Sequence, residues 1–136
     1  MVAQATAESG RAVVERMYDL FNSRRLGEML DLVASDLEWD WSRSLGPEEG
    51  VAYGPQGLRR FLSRHWEVWE RIEMIPEEII EAGEDFVVFV HVRLRGRDGI
   101  EVEARGPHVA TIRDGQLVRY TLFQTHDEAL AAVNLN

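Results

Sequence analysis

The sequence predicts an α+β domain, a layer of helices followed by a mostly antiparallel sheet, and three observations point there. Apolar residues recur at helical spacing through the first half of the chain and at alternating spacing through most of the second. Two late connections between extended segments both read Arg-Asp-Gly, at residues 97–99 and 113–115, the composition of a tight hairpin. With 136 residues, 45% of them apolar, the chain is long enough for one packed core without a metal or disulfide staple.

From Ser9 to Ser23, Val13, Met17, Leu20 and Phe21 form a helical stripe with Val14 and Tyr18 beside it, and residues 1–8 read as a flexible tail. Leu26, Met29, Leu30 and Val33 repeat the pattern in a shorter helix. Leu37, Trp39 and Trp41 alternate with Glu38 and Asp40, a short strand with one apolar face. The segment 42–50, SRSLGPEEG, is a turn-rich loop, with Glu48 and Glu49 solvated above the expected pocket mouth, and 51–53 is a short return strand. A helix then starts at Gly54 with Pro55 in its first turn. Its apolar stripe is Leu58, Phe61, Leu62, His65 and Trp69, flanked by Trp66 and Val68. Extended segments follow at 74–82, 86–95, 100–113 and 116–125, then a closing helix at 127–133. Nothing between them reads as a linker, so residues 1–136 form a single domain.

Three-residue hairpin loops, each ending in a glycine that accepts left-handed backbone, register the last three strands. Arg93 then faces Glu103 and Arg95 faces Glu101 on one side of the sheet, while Leu94 meets Val102 and Val92 meets Ala104 on the other. A two-residue turn would mix the faces, which burial of one face penalises heavily. The inner face carries Phe86, Val88, Val90, Val92, Ala104, Gly106, His108, Ala110, Val118, Tyr120, Leu122 and Gln124, with His108 between Val88 and Tyr120. Ala104, Gly106 and Ala110 are too small to fill the space under a helical layer, so a hollow is expected, walled by Trp39, Trp41, Trp66 and Trp69. The outer face carries an apolar cluster, Val87, Phe89, Val109, Leu117 and Phe123, that points to a homodimer through the back of the sheet.

A net charge of -9, with every one of the fifteen basic residues an Arg, argues against nucleic acid and anionic membranes as partners. No apolar run reaches membrane-span length, and MVAQATAESG is not a signal sequence, so a cytoplasmic location is expected. The absence of cysteine removes thiolate chemistry, and the four His residues lie on separate elements with no metal-ligand spacing. Phosphate-loop, dinucleotide and nucleophile-elbow motifs are missing too, which leaves cofactor-free chemistry and no metal.

Two helices, a Trp-bearing strand, YGPQGLRRFL at 53–62, a four-stranded run and RDGQLVRYTLFQTHDEAL at 113–130 together resemble the SnoaL-like branch of the nuclear transport factor 2 superfamily. The resemblance implies a cone-shaped α+β fold with an internal pocket, in a family that includes ketosteroid isomerases, polyketide cyclases, epoxide hydrolases, dehydratases and non-catalytic proteins. Where ketosteroid isomerases carry Tyr, Asp and Asp, this chain aligns Met17, Trp41 and His108. The polyketide cyclase Asp, also one of the acids of the epoxide hydrolases, falls at Leu122, while the cyclase His matches His108. An alignment slip of one residue brings Asp40 to the base position.

The candidate catalytic residues are therefore His108 as a neutral acid or base, Tyr120 as its partner or an oxyanion donor, and Asp40. The substrate-binding candidates are Met17, Tyr18, Phe21, Trp39, Trp41, Tyr53, Leu62 and His65 from the helical side. Trp66, Trp69, Val88, Val90, Leu122 and Gln124 complete them. Core packing is the competing role for the aromatic residues, and a hydrogen bond to Tyr120 the competing role for His108. Three functions stay open: a cofactor-free isomerase, cyclase or lyase acting on a small hydrophobic, cyclic molecule by proton transfer at His108; a non-catalytic binder of such a molecule; and a dimeric accessory domain.

Overall fold

Hydrophobic alternation and helical stripes resolve, in the computed structural model, into α1 (Val2–Asn22), α2 (Leu26–Leu30), β1 (Val33–Asp40), β2 (Val51–Tyr53) and α3 (Gly54–Val68). Then come β3 (Trp69–Ala82), β4 (Asp85–Gly96), β5 (Glu101–Arg113), β6 (Gln116–Leu122) and α4 (His126–Ala132). Residues 2–44 and 50–134 are described, 2–9 as backbone only, so the expectation for Glu48 and Glu49 lies outside the described residues. The strands form one curved sheet in the order β2-β1-β6-β5-β4-β3. β1 runs parallel to β6 and the other neighbours are antiparallel. No helix among the described residues is long and apolar enough to cross a membrane.

The first helix begins at Val2, where a tail was expected, and its stripe of Val14, Met17, Tyr18 and Phe21 is buried against the sheet. Close approach is set at Gly10, where a Cβ would stand 3.0 Å from the ring of Phe86 on β4. The other end is tied down by Asn22, whose amide donates to the Met74 carbonyl (2.8 Å) and accepts from the Met74 N–H (2.7 Å). This satisfies backbone groups of β3, an edge strand, with a side chain.

Trp69 was expected on the stripe of α3 but is extended (φ -103°, ψ 131°) and opens β3, which therefore starts five residues earlier than the alternation suggested. The reason lies at the helix end. Arg97, from the β4–β5 turn, donates to the carbonyls of Trp66 and Glu67, and Arg24 donates to those of Trp69 and Glu70. The Arg97 guanidinium thus occupies the carbonyl end of α3, where cations are favoured, and Arg24 holds the first two carbonyls of β3 just beyond it. Val33 likewise belongs to β1 rather than to the second helix.

The β4–β5 hairpin has the expected pairs, Arg93 with Glu103, Arg95 with Glu101, Leu94 with Val102 and Val92 with Ala104, around a loop in which Gly99 has φ +90°. The β5–β6 hairpin does not have the expected loop. Its turn is two residues, Asp114 (φ 54°) and Gly115 (φ 75°), with Arg113 opposite Gln116 and Ile112 opposite Leu117. A bulge between Thr111 and Ile112 leaves Val118 without a partner and restores the parity, so Ala110 meets Tyr120 and His108 meets Leu122, not Tyr120. From Arg119 onward the faces are those anticipated, but Leu117 rather than Val118 turns inward and β6 is displaced along β5 by two residues. Pro107 is accommodated in an interior strand because β6 has ended at Leu122; its carbonyl accepts from the Phe123 N–H (3.0 Å).

The same bulge corrects the outer patch. Leu117 belongs to the main core, fully buried with Met17, Phe21 and Tyr120. Val87 and Val109 are covered by Ala129 and Val133 of the α4 end, while Phe89 and Phe123 are partly buried against this small second core. Thr125 starts α4 with a capping box: its side chain accepts from the Glu128 N–H, and the Glu128 carboxylate accepts from the Thr125 N–H. The cluster expected to join two copies is thus largely covered within the chain, since the closing helix folds onto it.

Because Gly10 admits the Phe86 ring where any side chain would collide, Gly10→Leu is expected to lose about 1–3 kcal/mol of stability by overpacking. Urea unfolding checks it; an unchanged midpoint would mean that α1 does not sit this close to β4.

Candidate functional site

The small residues of β5 leave a cavity of about 340 Å³ between the inner face of the sheet and the indole of Trp41. Ala104, Gly106 and His108 line it from β5, Ile72 and Met74 from β3, and Val92 and Leu94 from β4. Leu122, Phe123 and Gln124 close the side next to Trp41, with Ser44 and Arg105 also on the lining. Val102 and Ala104 line the cavity and are themselves exposed, so it opens to solvent at that end of β5. A volume of this size with mainly apolar walls is that of a small-molecule site.

Polar groups on the lining are few, and two are occupied. Arg105 pairs with Glu77 at 3.3 Å, and the Gln124 amide donates to the Arg43 carbonyl at 2.6 Å. His108, 2% exposed, sits deepest. Its Nδ1 lies 2.5 Å from the Tyr120 hydroxyl, which lies 2.9 Å from the Tyr18 hydroxyl and 3.7 Å from the Met74 sulfur. The chain runs from β5 through β6 to α1 in the driest part of the molecule. Trp39 stacks on Tyr120, with centroids 4.2 Å apart and planes 16° apart, and holds that ring from β1.

Burial lowers the His108 pKa to about 3, because imidazolium would lose its hydration here, so the ring is neutral at pH 7. Burial likewise raises Tyr18, against a smaller lowering by its bond to Tyr120. Tyr120 is raised by burial first, then by its interactions with Tyr18, so both phenols stay protonated.

Of the residues anticipated for the site, Trp41, His108, Leu122 and Gln124 line the cavity. Tyr18 and Tyr120 stand behind His108, while Met17, Phe21, Trp39, Leu62, Val88 and Val90 are core beneath it. His65 packs against Trp41 (5.1 Å between centroids) and bonds the Phe61 carbonyl through Nδ1 at 2.7 Å. Trp66 and Trp69 are partly buried against the core, away from the lining. Tyr53 is 67% exposed on β2. Asp40 accepts from the Ser42 N–H (2.9 Å) and hydroxyl (2.6 Å) and pairs with Arg43. Burial pushes its pKa up, but these contacts outweigh it and the carboxyl lies below its usual value. Ile72, Met74 and Leu94 were not anticipated on the wall. Treating Gly83 and Glu84 as a hairpin turn does not find the first two, because that register carries Ile72 to Arg95 and Met74 to Arg93; an irregularity between Pro76 and Glu78 shifts them opposite Leu94 and Val92.

Among the described residues no three His, Asp or Glu side chains come together to hold a metal ion. A SnoaL-like domain matches residues 14–120, most of the chain. The chain belongs to the SnoaL-like domain family. Solved structures agree on the fold, the α+β, nuclear transport factor 2-like architecture that the sequence suggested. TerC, co-crystallised with polyporic acid, is 22% identical with a TM-score of 0.76, over 93% of this chain and 98% of that one. An NTF2-like protein of unknown function from Burkholderia pseudomallei is also 22% identical, at a TM-score of 0.76, over 92% of this chain and 97% of its own. RV0760c from Mycobacterium tuberculosis, in complex with estradiol-17beta-hemisuccinate, is 14% identical at a TM-score of 0.75, over 88% and 95%. No curated protein matches the sequence.

In the unfolded SnoaL-like chain His108 takes up a proton near pH 6.5, in the folded one only near pH 3, so the unfolded state binds more protons between those values. The stability that this ring contributes is therefore complete above pH 6.5 and falls as the pH drops towards 3. Between pH 5.5 and 4 the wild type is expected to lose about 1 kcal/mol per pH unit more than His108→Gln. Urea titrations of both proteins across that range measure it, and parallel curves would mean that the ring is hydrated.

Proposed function

We propose that this protein takes up a small, hydrophobic, cyclic molecule in the cavity under β5, with His108 as the polar contact at its deep end. The observation that carries the reading is the floor itself: small residues where a packed core would need large ones, around one buried imidazole whose Nε2 has no partner among the described residues. The complexes of TerC with polyporic acid and of RV0760c with estradiol-17beta-hemisuccinate support it. Catalysis, on this reading, is a cofactor-free isomerase, cyclase or lyase step at His108. The hydrogen-bonded chain to Tyr120 and Tyr18 favours it, because it fixes the imidazole rigidly against whatever the cavity holds. Simple binding is the second reading, favoured by the absence of any carboxylate among the described lining residues.

Ala104 lines the cavity near its mouth and is exposed, so a large side chain there blocks entry without disturbing the core. Ala104→Trp is expected to weaken uptake of ring compounds at least tenfold with an unchanged melting temperature. Quenching of tryptophan fluorescence across a panel of two- to four-ring compounds measures the wild type, and isothermal titration compares the two proteins. Equal affinities would place the binding site elsewhere.

A further inference from the structure

Proton bookkeeping in the buried chain decides which face of His108 the cavity meets. Tyr18 and Tyr120 each have one hydroxyl proton, and the neutral imidazole has one N–H shared between two positions. Tyr120 stands between three groups: the Tyr18 hydroxyl at 2.9 Å, His108 Nδ1 at 2.5 Å and the Met74 sulfur at 3.7 Å. Tyr18 has no other partner among the described residues. If Tyr120 donated to Tyr18, the Tyr18 proton would be left without an acceptor in a dry interior, which costs more than the bond gains. If Tyr120 donated to Met74, its proton would go to a thioether, the weakest acceptor of the three and the most distant.

The remaining arrangement wastes nothing. Tyr18 donates to Tyr120, and Tyr120 donates to the imidazole lone pair, the best acceptor and the nearest. Nδ1 is then unprotonated, and the ring proton must be on Nε2. That nitrogen has no bond to any described residue, on a ring that lines the cavity.

We infer that Tyr120 locks His108 as the Nε2–H tautomer, so that the cavity floor is a neutral hydrogen-bond donor and selects a ring compound whose inner end carries a carbonyl or enolate oxygen. The inference rests on the ligand cavity of the preceding reading and adds the chemical class of the ligand. Two other polar residues of the wall, Arg105 and Gln124, are engaged with Glu77 and the Arg43 carbonyl, while the Trp41 indole N–H is a second donor on the lining without a partner among the described residues. A donor with no competing acceptor beside it favours a ketone over the matching hydrocarbon. It also favours an enolate over its ketone, because the bond strengthens as charge builds on the oxygen.

Two measurements test this independently. Long-range 1H–15N correlation spectra of the labelled protein at pH 7 distinguish a protonated ring nitrogen from an unprotonated one. The expected spectrum for His108 has Nε2 protonated and Nδ1 bare, and Tyr120→Phe is expected to release that preference. A protonated Nδ1 in the wild type overturns the inference, and this spectrum decides even if the variant fails to fold. The second measurement is titration with 1-tetralone and with tetralin. The ketone is expected to bind about tenfold more tightly, the worth of one buried neutral hydrogen bond, and His108→Leu is expected to erase the difference. Equal binding of both probes to the wild type overturns the ligand class while leaving the cavity reading intact. Failure of both to bind beside an Nε2–H spectrum overturns the cavity reading and the ligand class with it.

Discussion

Two phenol hydroxyls and an imidazole buried together in an apolar interior are stable only as a connected set, and much of this architecture follows from keeping them connected. An unpaired buried hydroxyl costs about 1–3 kcal/mol, so the chain cannot lose a link cheaply. Tyr18 comes from α1, Tyr120 from β6 and His108 from β5, and their contacts therefore fix the helix against two strands at once. Met74 brings in β3, and its own backbone is held by Asn22 at the far end of α1. The helix is thereby pinned at three places along its length, by fit at Gly10, by a hydroxyl at Tyr18 and by an amide at Asn22.

The two faces of the sheet answer to different physics. The inner face is held by burial of large side chains such as Trp39, Phe21, Phe86 and Leu37. The outer face of β3, β4 and β5 carries a ladder of exposed pairs, among them Arg93 with Glu103, Arg95 with Glu70 and Arg105 with Glu77. Pairs this exposed contribute little stability. They disfavour wrong pairings of the strands and keep that surface wet. Where the outer face turns apolar, at Val87 and Val109, the chain supplies its own cover in α4.

Parity was the part of this fold most legible in the sequence. Alternation at Arg93, Leu94 and Arg95 against Glu101, Val102 and Glu103 admits one register, and the structure has it. Distance along a strand was less legible: nothing in 113–118 distinguishes a three-residue loop from a two-residue turn followed by a bulge, because the two differ inside only by exchanging one apolar residue, Val118, for another, Leu117. The site was legible to the same extent. His108, Trp41, Leu122 and Gln124 could be placed on the cavity from alternation alone, but Tyr120 was placed across from His108 when it stands diagonally behind it. Trp69 was misplaced for another reason: the cations that hold the junction of α3 and β3 come from residues 24 and 97, and no local pattern contains them.

The bulge at Val118 has a consequence for how cavities of this kind diversify. Shortening the turn by one residue and adding one to the strand leaves every side chain beyond the bulge on its own face, yet slides β6 along β5 by two positions, about 7 Å. Pocket depth becomes a stepped variable, changed by an insertion and a deletion a few residues apart, while the core beyond the bulge remains the same set of residues. A lineage carrying such paired changes could present its buried imidazole to ligands of quite different length without ever passing through an inside-out sheet.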